Sequence, residues 1–510
     1  MTVLKLSHDI AGGRRNNGCM TGTSFDLTIR HGRIGNADGT RQADIGVRDG
    51  VITAIEPGLP AGASDVDATG CWVLPGGIDS HCHIEQRSGM GVMCADDFYS
   101  GTVSAAFGGT TTILSFAAQH RADSIPEVVA AYGALAREKA VIDYGFHLIL
   151  TNPDEVALRE HLPRVIRDGI TSLKVYMTYD KLKLDDYQLL EVMSVAGEEG
   201  ALVMMHAENH DMIRWIAHRL LERGHVAPKY HAVAHDALAE SEATNRAIAL
   251  ARLADVPVLI VHVAGREAVE VIRDARRLGA AVYAETCPQY LFLEAADSDL
   301  PGLEGAKFCC SPPPRDADSQ EAVWAGLKDG TLGVFSSDHA PYRFDASGKL
   351  PRGDATTFKE MANGVPGIEL RLPLLFSEGV MKGRISIEEF VALTSTHHAR
   401  MYGLAPRKGA IAVGADADFA VWNPERRVTV SASMLHDNAG YTPYEGRELR
   451  GWPEQVFSRG RCVVRDGALR VERGSGRYIA RGRPEPLAQR PAASAERGRF
   501  SDLVGLRRGL

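Results

Sequence analysis

Two histidines separated by one residue, His81 and His83, are the most chemically suggestive feature of the chain. They follow an apolar run that begins at Val73. If the run is a β-strand, alternate side chains point to the same face, and the two imidazoles lie side by side. Imidazoles at that spacing suit one metal ion, and zinc is the usual occupant. Because His-x-His also occurs on solvated strand ends, the pair alone does not establish a metal site.

Further along the chain, three more apolar runs end in a residue type that binds metal ions. The three residues are His206, His262 and Asp338. In barrel enzymes the chemistry takes place at the carboxyl ends of the strands, so these side chains are expected to meet the first two histidines. A lone histidine at a strand end is usually an ordinary polar residue. Four histidines and an aspartate at equivalent ends instead predict a shared metal centre.

Lys174 stands out because it lies inside the apolar segment 170–177. A strand buried on both faces leaves an ammonium group without solvent, which is costly if it is unpaired. Two interpretations are open. The lysine pairs with a hidden carboxylate, or its neutral amine reacts with carbon dioxide to form a carbamate. That anion has two oxygens and can bridge two divalent ions, about 3.5–4 Å apart, which activate a shared water.

The elements that must position these residues are eight apolar, strand-like runs that alternate with helix-like segments between residues 73 and 399. After the opening run, the predicted strands are 111–116, 143–150, 171–177, 201–206, 256–262, 280–285 and 332–336. The predicted helices include 125–139, 153–168, 237–253 and 267–278. This alternation predicts an α/β protein with a (β/α)8 TIM barrel. The alternative is an open doubly wound sheet, but no Gly-rich phosphate-binding motif follows a strand.

Short β-rich runs flank the barrel segment on both sides. Those before it are 26–30, 43–47 and 51–55, and Asp49-Gly50 is a hairpin signal between the last two. Those after it are 409–413, 418–422, 428–430 and 461–464, with turns expected at Asn423-Pro424 and Asp466-Gly467. The two groups together predict a discontinuous N-/C-terminal β-sandwich domain.

The predicted domain organisation therefore has four parts. Residues 1–24 form a loose N-terminal extension, and residues 25–72 join residues 400–473 in the β-sandwich domain. Residues 73–399 form the barrel. Residues 474–510 are rich in arginine, proline, alanine and glycine, which predicts a poorly ordered or surface-draped tail.

The composition is that of an ordinary globular protein, with 510 residues of which 45% are hydrophobic and 24% charged. A net charge of -8 gives no reason to expect nucleic acid or an anionic membrane as a partner. No apolar run approaches the ~20 residues of a membrane span, and the N-terminus lacks a signal-peptide core. The eight cysteines lack the spacing of a disulfide framework, so we expect reduced thiols and a cytoplasmic protein.

The chain resembles the dihydropyrimidinases and D-hydantoinases, which are cyclic-amide hydrolases of the binuclear metal amidohydrolase superfamily. The resemblance runs from about Phe25 to Asp466. The segments that carry it are Pro75-Gly76-Gly77-Ile78-Asp79-Ser80-His81-Cys82-His83, Ala95-Asp96-Asp97-Phe98, Ser172-Leu173-Lys174-Val175-Tyr176-Met177, Ala284-Glu285-Thr286-Cys287-Pro288-Gln289-Tyr290-Leu291, Ser311-Pro312-Pro313, Ser337-Asp338-His339-Ala340-Pro341 and Asn363-Gly364-Val365-Pro366-Gly367. It implies a TIM barrel with a β-sandwich, two divalent metal ions, above all zinc, and a homotetramer or homodimer.

The resemblance also implies a role for each site residue. The implied ligands are His81, His83 and Asp338 for one ion, His206 and His262 for the other, and Lys174 as a bridging N6-carboxylysine. Tyr179 would hydrogen-bond the attacked carbonyl oxygen and stabilise the oxyanion. Ser311 and Asn363 would hold the cyclic amide through backbone groups. Asp338 would act as general base towards the bridging water and as general acid towards the leaving nitrogen.

The implied activity is ring opening of dihydropyrimidines or 5-substituted hydantoins to N-carbamoyl amino acids. An allantoinase, an imidase or a dihydroorotase-like enzyme is the alternative within the class. A non-catalytic dihydropyrimidinase-like scaffold protein is a remote alternative, because every ligand position here is filled. Gln86, Arg87 and Lys183 depart from the largely apolar substrate loops of hydantoinases. They leave open an acidic or polar ring substituent and, equally, charge that faces solvent.

Overall fold

The computed structural model describes residues 25–488, so the predicted N-terminal extension and residues 489–510 of the predicted tail lie outside it. Seven short strands come first: β1 (Leu27–Arg30), β2 (Arg33–Asn36), β3 (Gly39–Gln42), β4 (Asp44–Arg48), β5 (Val51–Glu56), β6 (Ser64–Asp67) and β7 (Trp72–Pro75). The predicted hairpin joins β4 to β5. Its turn residues Asp49 and Gly50 have φ values of 52° and 76°, the left-handed conformation that this turn requires.

Eight parallel strands then form a nearly closed barrel, which confirms the barrel and excludes the open doubly wound sheet. They are β8 (Gly77–Cys82), β9 (Thr110–Ala118), β10 (Asp143–Ile149), β11 (Ser172–Tyr176), β12 (Leu202–His206), β13 (Val258–Ile260), β14 (Val282–Thr286) and β15 (Val334–Phe335). Nearly all of their residues are buried, as expected of parallel strands covered on both faces. The opening apolar run is divided at Gly76 between the sandwich strand β7 and the barrel strand β8.

Helices α1 to α10 lie between successive barrel strands, and α11 to α14 follow the last one. Their bounds are α1 (Phe98–Phe107), α2 (Ile125–Lys139), α3 (Leu162–Arg167), α4 (Asp186–Glu199), α5 (His210–Glu222), α6 (Tyr230–Ala234), α7 (Ala237–Ala254), α8 (Arg266–Arg277), α9 (Gln289–Phe292), α10 (Ala317–Asp329), α11 (Arg371–Leu375), α12 (Ile387–Val391), α13 (His397–Met401) and α14 (Glu485–Ala488). The predicted helix 125–139 coincides with α2. The predicted helix 153–168 begins instead as a π-helical turn, Ala157–His161, before α3.

Arg371 closes the gap between the first and last barrel strands. Its guanidinium is fully buried and donates hydrogen bonds to the carbonyl oxygens of Ile78, at 3.0 Å, and Phe335, at 2.7 Å. These carbonyls belong to β8 and β15, which share no regular ladder among the described strands. A single buried cation therefore satisfies backbone acceptors that an ordinary strand pair would satisfy with amides.

Asp79 makes a second connection across the same gap. Its Oδ1 atom accepts hydrogen bonds from the backbone N–H groups of His81, at 3.2 Å, and Ser337, at 3.1 Å. Ser337 in turn donates its hydroxyl to the carbonyl oxygen of His81, at 3.1 Å. Closure of the barrel thereby sets the positions of His81 and of the neighbouring Asp338.

The C-terminal strands β16 (Phe419–Thr429), β17 (Glu448–Ser458), β18 (Arg461–Arg465) and β19 (Ala468–Leu469) join the N-terminal strands. The resulting seven-stranded sheet has the order β19-β18-β17-β16-β7-β2-β3 and faces a four-stranded sheet of order β5-β4-β1-β6. Ile45, Val73 and Phe419 contribute to the common apolar core. The separate β-domain is thus built from both ends of the chain, and we propose 25–72 with 400–473 as its extent.

Two local predictions in this region are wrong. Residues 409–413 form no strand; the backbone groups of Ile411 instead hydrogen-bond the side chain of Asn36. Asn423-Pro424 is not a turn between two strands. The register shifts between Asn423 and Arg427, so the chain makes an irregularity within the single strand β16. Proline cannot donate to a ladder, which is why it is accommodated at such a position.

The part of the predicted tail that the structure describes, residues 474–488, is packed more closely than expected. Ile479 and Arg481 are both buried. The N–H of Ile479 donates to the carbonyl oxygen of Tyr144, at 2.8 Å, and the N–H of Arg481 donates to that of Gly169, at 3.1 Å. The Arg-rich composition suggested solvation, but the side chain of Arg481 is buried and donates a hydrogen bond to the carbonyl oxygen of Phe146.

Among the described residues, no helix combines the length and the apolar character needed to span a membrane. Seven cysteines in this part of the chain are free thiols: Cys71, Cys82, Cys94, Cys287, Cys309, Cys310 and Cys462. The absence of a disulfide among these residues is compatible with the expectation of reduced thiols.

A buried ion-pair cluster connects the barrel to the β-domain. Lys408 Nζ lies 2.7 Å from Asp143 Oδ2 and 2.9 Å from Asp416 Oδ2, and it also contacts Asp418. Arg459 contacts Asp143 from the other side. The three carboxylates have a spacing that would suit a metal ion. The lysine ammonium occupies that position, so the cluster is a structural ion-pair network.

We expect Lys408→Met to lower the free energy of unfolding by about 3–5 kcal/mol, because the substitution leaves buried carboxylates without their cation. Urea unfolding at a fixed metal content measures the change. The control is Lys328→Met on the exposed face of α10, which should change stability by less than about 0.5 kcal/mol. An equal effect of both substitutions would show that Arg459 alone compensates the carboxylates.

Candidate active site

A cavity of about 390 Å³ lies at the carboxyl ends of the barrel strands. Every residue predicted to do chemistry lines it: His81, His83, Lys174, Tyr179, His206, His262, Ser311, Asp338 and Asn363. These residues come from eight separate segments of the chain, and the barrel topology brings them to one end of the sheet. The strand-end residues therefore lie around one cavity.

Asp338 lies between the two histidines of the opening motif. Its Oδ1 atom is 3.2 Å from His81 Nε2 and 3.3 Å from His83 Nε2. Cys82, between the two histidines, is fully buried on the other face of β8. The three side chains offer two imidazole nitrogens and a carboxylate oxygen to one point, which is a suitable donor set for a divalent ion.

His206 and His262 form the second half of the site. Their ring centroids are 4.4 Å apart, and the ring of His262 is 5.4 Å from that of His81. The Nδ1 atom of His262 is buried without a hydrogen-bond partner among the described residues. A buried polar atom of this kind is costly unless something binds it. The residues present therefore fit a pair of adjacent metal ions.

Three residues outside the predicted set orient the histidines by accepting a hydrogen bond from the ring nitrogen that points away from the cluster. The pairs are His81 Nδ1 with Glu285 Oε1 at 2.6 Å, His83 Nδ1 with Gln86 Oε1 at 2.8 Å, and His206 Nε2 with Glu208 Oε2 at 2.6 Å. Each bond selects the tautomer that leaves the opposite nitrogen available for a metal ion. Glu208 could have been predicted from the sequence, because it lies two residues after a histidine at the end of a strand.

Glu208 is shared between two imidazoles. Its Oε1 atom also accepts from Nδ1 of His235, at 2.7 Å, and all three side chains are buried. Although burial by itself raises the pKa of Glu208, the combined effect of His235 and His206 holds that pKa well below its ordinary value. Glu208 is therefore an anion that can keep His206 in place. No pattern in the sequence predicted His235, because it follows the short helix α6 rather than a strand.

Lys174 is buried and has no carboxylate within 4.0 Å among the described residues, which argues against the interpretation of a hidden ion pair. Its Nζ atom lies 3.2 Å from His81 Nε2. Burial lowers the pKa of the Lys174 ammonium to about 8. The amine is thus partly neutral near physiological pH, which is the form that reacts with carbon dioxide.

Tyr179, Ser311 and Asn363 form the opposite wall of the cavity. The hydroxyl of Tyr179 hydrogen-bonds the side chains of Ser311 and Asn363, and burial raises the pKa of the hydroxyl well above its ordinary value. The phenol therefore remains protonated and able to donate. Ser311 Oγ also lies 3.2 Å from His231 Nε2.

Left-handed backbone conformations coincide with three of these functional positions. The φ angles are 72° at Tyr179, 40° at His262 and 47° at Asp338. Such conformations are uncommon for residues other than glycine and cost about 1–3 kcal/mol each. Because the surrounding barrel enforces them, the side chains are directed into the cavity at the points where the strands end.

Gln86, Arg87 and Lys183, the residues that differ from the largely apolar substrate loops of hydantoinases, lie in different environments. Gln86 is buried and serves as the partner of His83. Arg87 is exposed, and neither Arg87 nor Lys183 lines the cavity. The charge that these two residues add therefore does not contact a bound ring directly.

Comparison with known proteins agrees with this geometry. Residues 72–463 match the model of the amidohydrolase family. The chain is 44% identical over 456 residues to the D-hydantoinase of Geobacillus stearothermophilus, covering 89% of this chain and 96% of that relative. It is 40% identical over 459 residues to the D-hydantoinase of Ralstonia pickettii, covering 90% of this chain and 99% of that relative.

Solved structures give the same result. The D-hydantoinase from Bacillus sp. AR9 has a TM-score of 0.87 and 45% identity, over 90% of this chain and 99% of that one. The dihydropyrimidinase from Brevibacillus agri NCHU1002 has a TM-score of 0.87 and 43% identity, over the same shares of the two chains. The chain belongs to the amidohydrolase family, among the D-hydantoinases and dihydropyrimidinases.

Proposed function

We propose that this protein opens the ring of a cyclic amide, a 5-substituted hydantoin or a dihydropyrimidine, to give an N-carbamoyl amino acid. The observation that carries the proposal is the convergence of four histidines, Asp338 and a lysine opposite a wall of hydrogen-bond donors, with no carboxylate within 4.0 Å of the lysine among the described residues. The names of the relatives favour this activity over that of an allantoinase, an imidase or a dihydroorotase-like enzyme. Retention of every predicted ligand argues against a non-catalytic scaffold.

The proposed ligand set divides the cluster between two divalent ions, for which zinc is the best match to imidazole and carboxylate donors. One ion would be held by His81, His83 and Asp338 and the other by His206 and His262, and Lys174, as N6-carboxylysine, would serve as the bridging ligand. The two ions, when bound, supply Lewis-acid polarisation of the substrate carbonyl and a hydroxide nucleophile at neutral pH.

Asp338 is proposed to carry the proton of the reaction. Burial alone raises the pKa of the Asp338 carboxyl, but His81, His83 and Lys174 together hold it below its ordinary value. The carboxylate is therefore ionised and can accept the proton of the attacking water. It then delivers that proton to the ring nitrogen as the C–N bond breaks, so that the ring opens to a carboxylic acid, which loses its remaining proton to solvent, and a carbamoyl group.

Tyr179 is proposed to donate its hydroxyl hydrogen to the oxygen of the attacked carbonyl. A donor fixed in advance, at a position where negative charge develops, stabilises the transition state more than the ground state. Ser311 and Asn363 hold that hydroxyl in place and lie where the rest of the ring binds. They are the proposed substrate-binding residues.

We also propose a cytoplasmic homotetramer, or a homodimer, with no nucleic-acid or membrane partner. The resemblance to hydantoinases supports the assembly, and the free thiols and negative net charge support the remainder. Light scattering of the purified protein distinguishes the assemblies by mass.

The proposed activity is tested with a panel of dihydrouracil, a neutral 5-substituted hydantoin, allantoin, dihydroorotate and a simple cyclic imide. We expect the first two to be hydrolysed best, chelation to abolish turnover and zinc to restore it. Preference for allantoin, dihydroorotate or the imide would favour the corresponding alternative. No turnover of any ring by fully metallated protein would refute the proposed function.

Lys174→Ala should lose the bridging group, much of the bound metal and nearly all activity. Because the missing group is chemically a tethered carboxylate, added propionate should partly restore metal content and rate. Lys174→Arg is the control that propionate should not rescue, since its side chain stays cationic and fills the space. The mass of the intact native protein should exceed the sequence mass by one carbon dioxide. An unmodified amine in active, fully metallated protein would contradict the carbamate.

Tyr179→Phe should lower kcat by ~100- to 1000-fold, the usual loss for one oxyanion donor. KM should change much less, because the hydrogen bond strengthens in the transition state. Steady-state kinetics on the best substrate of the panel separates the two constants. A change confined to KM would assign Tyr179 to ground-state binding instead.

A further inference from the structure

The outer part of the cavity differs in character from the ligand cluster at its base. Its walls include Leu182 from the segment after Tyr179, Ile213 from α5, and Phe358. A Cβ placed on Gly89 would lie 3.1 Å from Leu182, so the segment after His83 and the segment after Tyr179 touch there. Carbon atoms of a ring substituent would therefore lie against apolar side chains on their way to the opening.

The opening itself carries positive charge. Lys181, Arg214 and Lys359 all line it and are exposed. Among the described residues, none of the three has a carboxylate within 4.0 Å. The acidic residue at the opening is Asp180, whose Oδ1 atom lies 3.3 Å from His210 Nε2. We call Lys181, Arg214 and Lys359 the cationic rim.

Exposed lysines and arginines are common on any surface, so their exposure alone identifies nothing. The rim is unusual because three separate segments bring cations to one cavity opening in a chain whose net charge is -8. At this opening three cations outnumber one carboxylate, that of Asp180, and a cleft with an excess of one sign of charge and apolar walls concentrates ligands of the opposite sign. Within residues 25–488, the rim charges also have no ion-pair partner that would compete with such a ligand.

From this arrangement we propose that the preferred substrate carries a carboxylate at the end of a short apolar substituent on its ring. The proposal rests on the proposed function and specifies its substrate class. The ring lies at the metal ligands, the aliphatic carbons of the substituent contact Leu182 and Ile213, and the carboxylate reaches the cationic rim. The product would be the N-carbamoyl derivative of an acidic amino acid.

The test compares two ligands of nearly equal size, hydantoin-5-propionate and hydantoin-5-propionamide, on the zinc-loaded enzyme. We expect kcat/KM to be at least about tenfold higher for the acid, and this preference to decrease between about 20 mM and about 500 mM NaCl as screening increases. The combined variant Lys181→Gln, Arg214→Gln and Lys359→Gln should lower kcat/KM for the acid by about tenfold, since each exposed charge contributes a few-fold at most. The ratio of the two substrates should approach one.

Arg87→Gln is the matched control, because Arg87 is an exposed cation in a neighbouring segment that does not line the cavity. It should leave both rates unchanged. Wild-type preference for the amide, or an equal loss on both substrates in the combined variant, would overturn the cationic rim while leaving the proposed function intact. If the zinc-loaded enzyme opened neither of the two hydantoins and also failed to open dihydrouracil, both proposals would be refuted.

Discussion

The burial of ionisable side chains at one end of the barrel is the constraint on which the rest of the structure depends. Burial lowers the pKa of His81, His206 and His262, so these rings favour their neutral form, and it lowers the pKa of Lys174 to about 8, so that part of the amine is neutral. Neutral donors that are removed from water are costly unless they bind something, and they are also the forms that metal ions require. Burial of these donors therefore lowers the stability of the protein and, at the same time, keeps the donors in the form that binds a metal ion. Glu208 and Glu285 hold two of the rings in the orientation that serves this purpose.

The buried ionisable groups at the two ends of the barrel differ in whether protein groups satisfy them. At the amino end, Lys408 and Arg459 satisfy Asp143 and its neighbouring carboxylates, and the result is a rigid connection between domains. At the carboxyl end, Nδ1 of His262 has no hydrogen-bond partner among the described residues. Both clusters have a spacing that suits a metal ion. In the first cluster a lysine pairs directly with the carboxylates, which identifies a structural network, whereas in the second Lys174 has no carboxylate within 4.0 Å among the described residues.

The contacts that close the barrel also position the candidate ligands. Asp79 accepts hydrogen bonds from the backbone of His81 and of Ser337, so the same carboxylate joins the first and last strands and positions residues on both. Arg371 supports the join from below through carbonyl oxygens of the two strands. Loops and α5 supply the apolar and cationic side chains at the opening of the cavity. These segments can vary without changing the barrel strands. A stable frame with variable loops is how barrel enzymes change substrate while they keep their chemistry.

Sequence by itself determined the features that depend on local pattern. Apolar runs of strand length, each ending at a histidine or aspartate, predicted the barrel and its convergent ligands, because strand periodicity and the direction of parallel strands follow from the chain alone. The tertiary structure decided what depends on contacts between distant segments. His235 reaches Glu208 from a short helix, Arg371 spans two strands, residues 474–488 pack beneath the barrel, and Asn36 binds a segment that resembled a strand. Such contacts leave no periodic signal, because a side chain that hydrogen-bonds a distant backbone group has no preferred spacing in sequence.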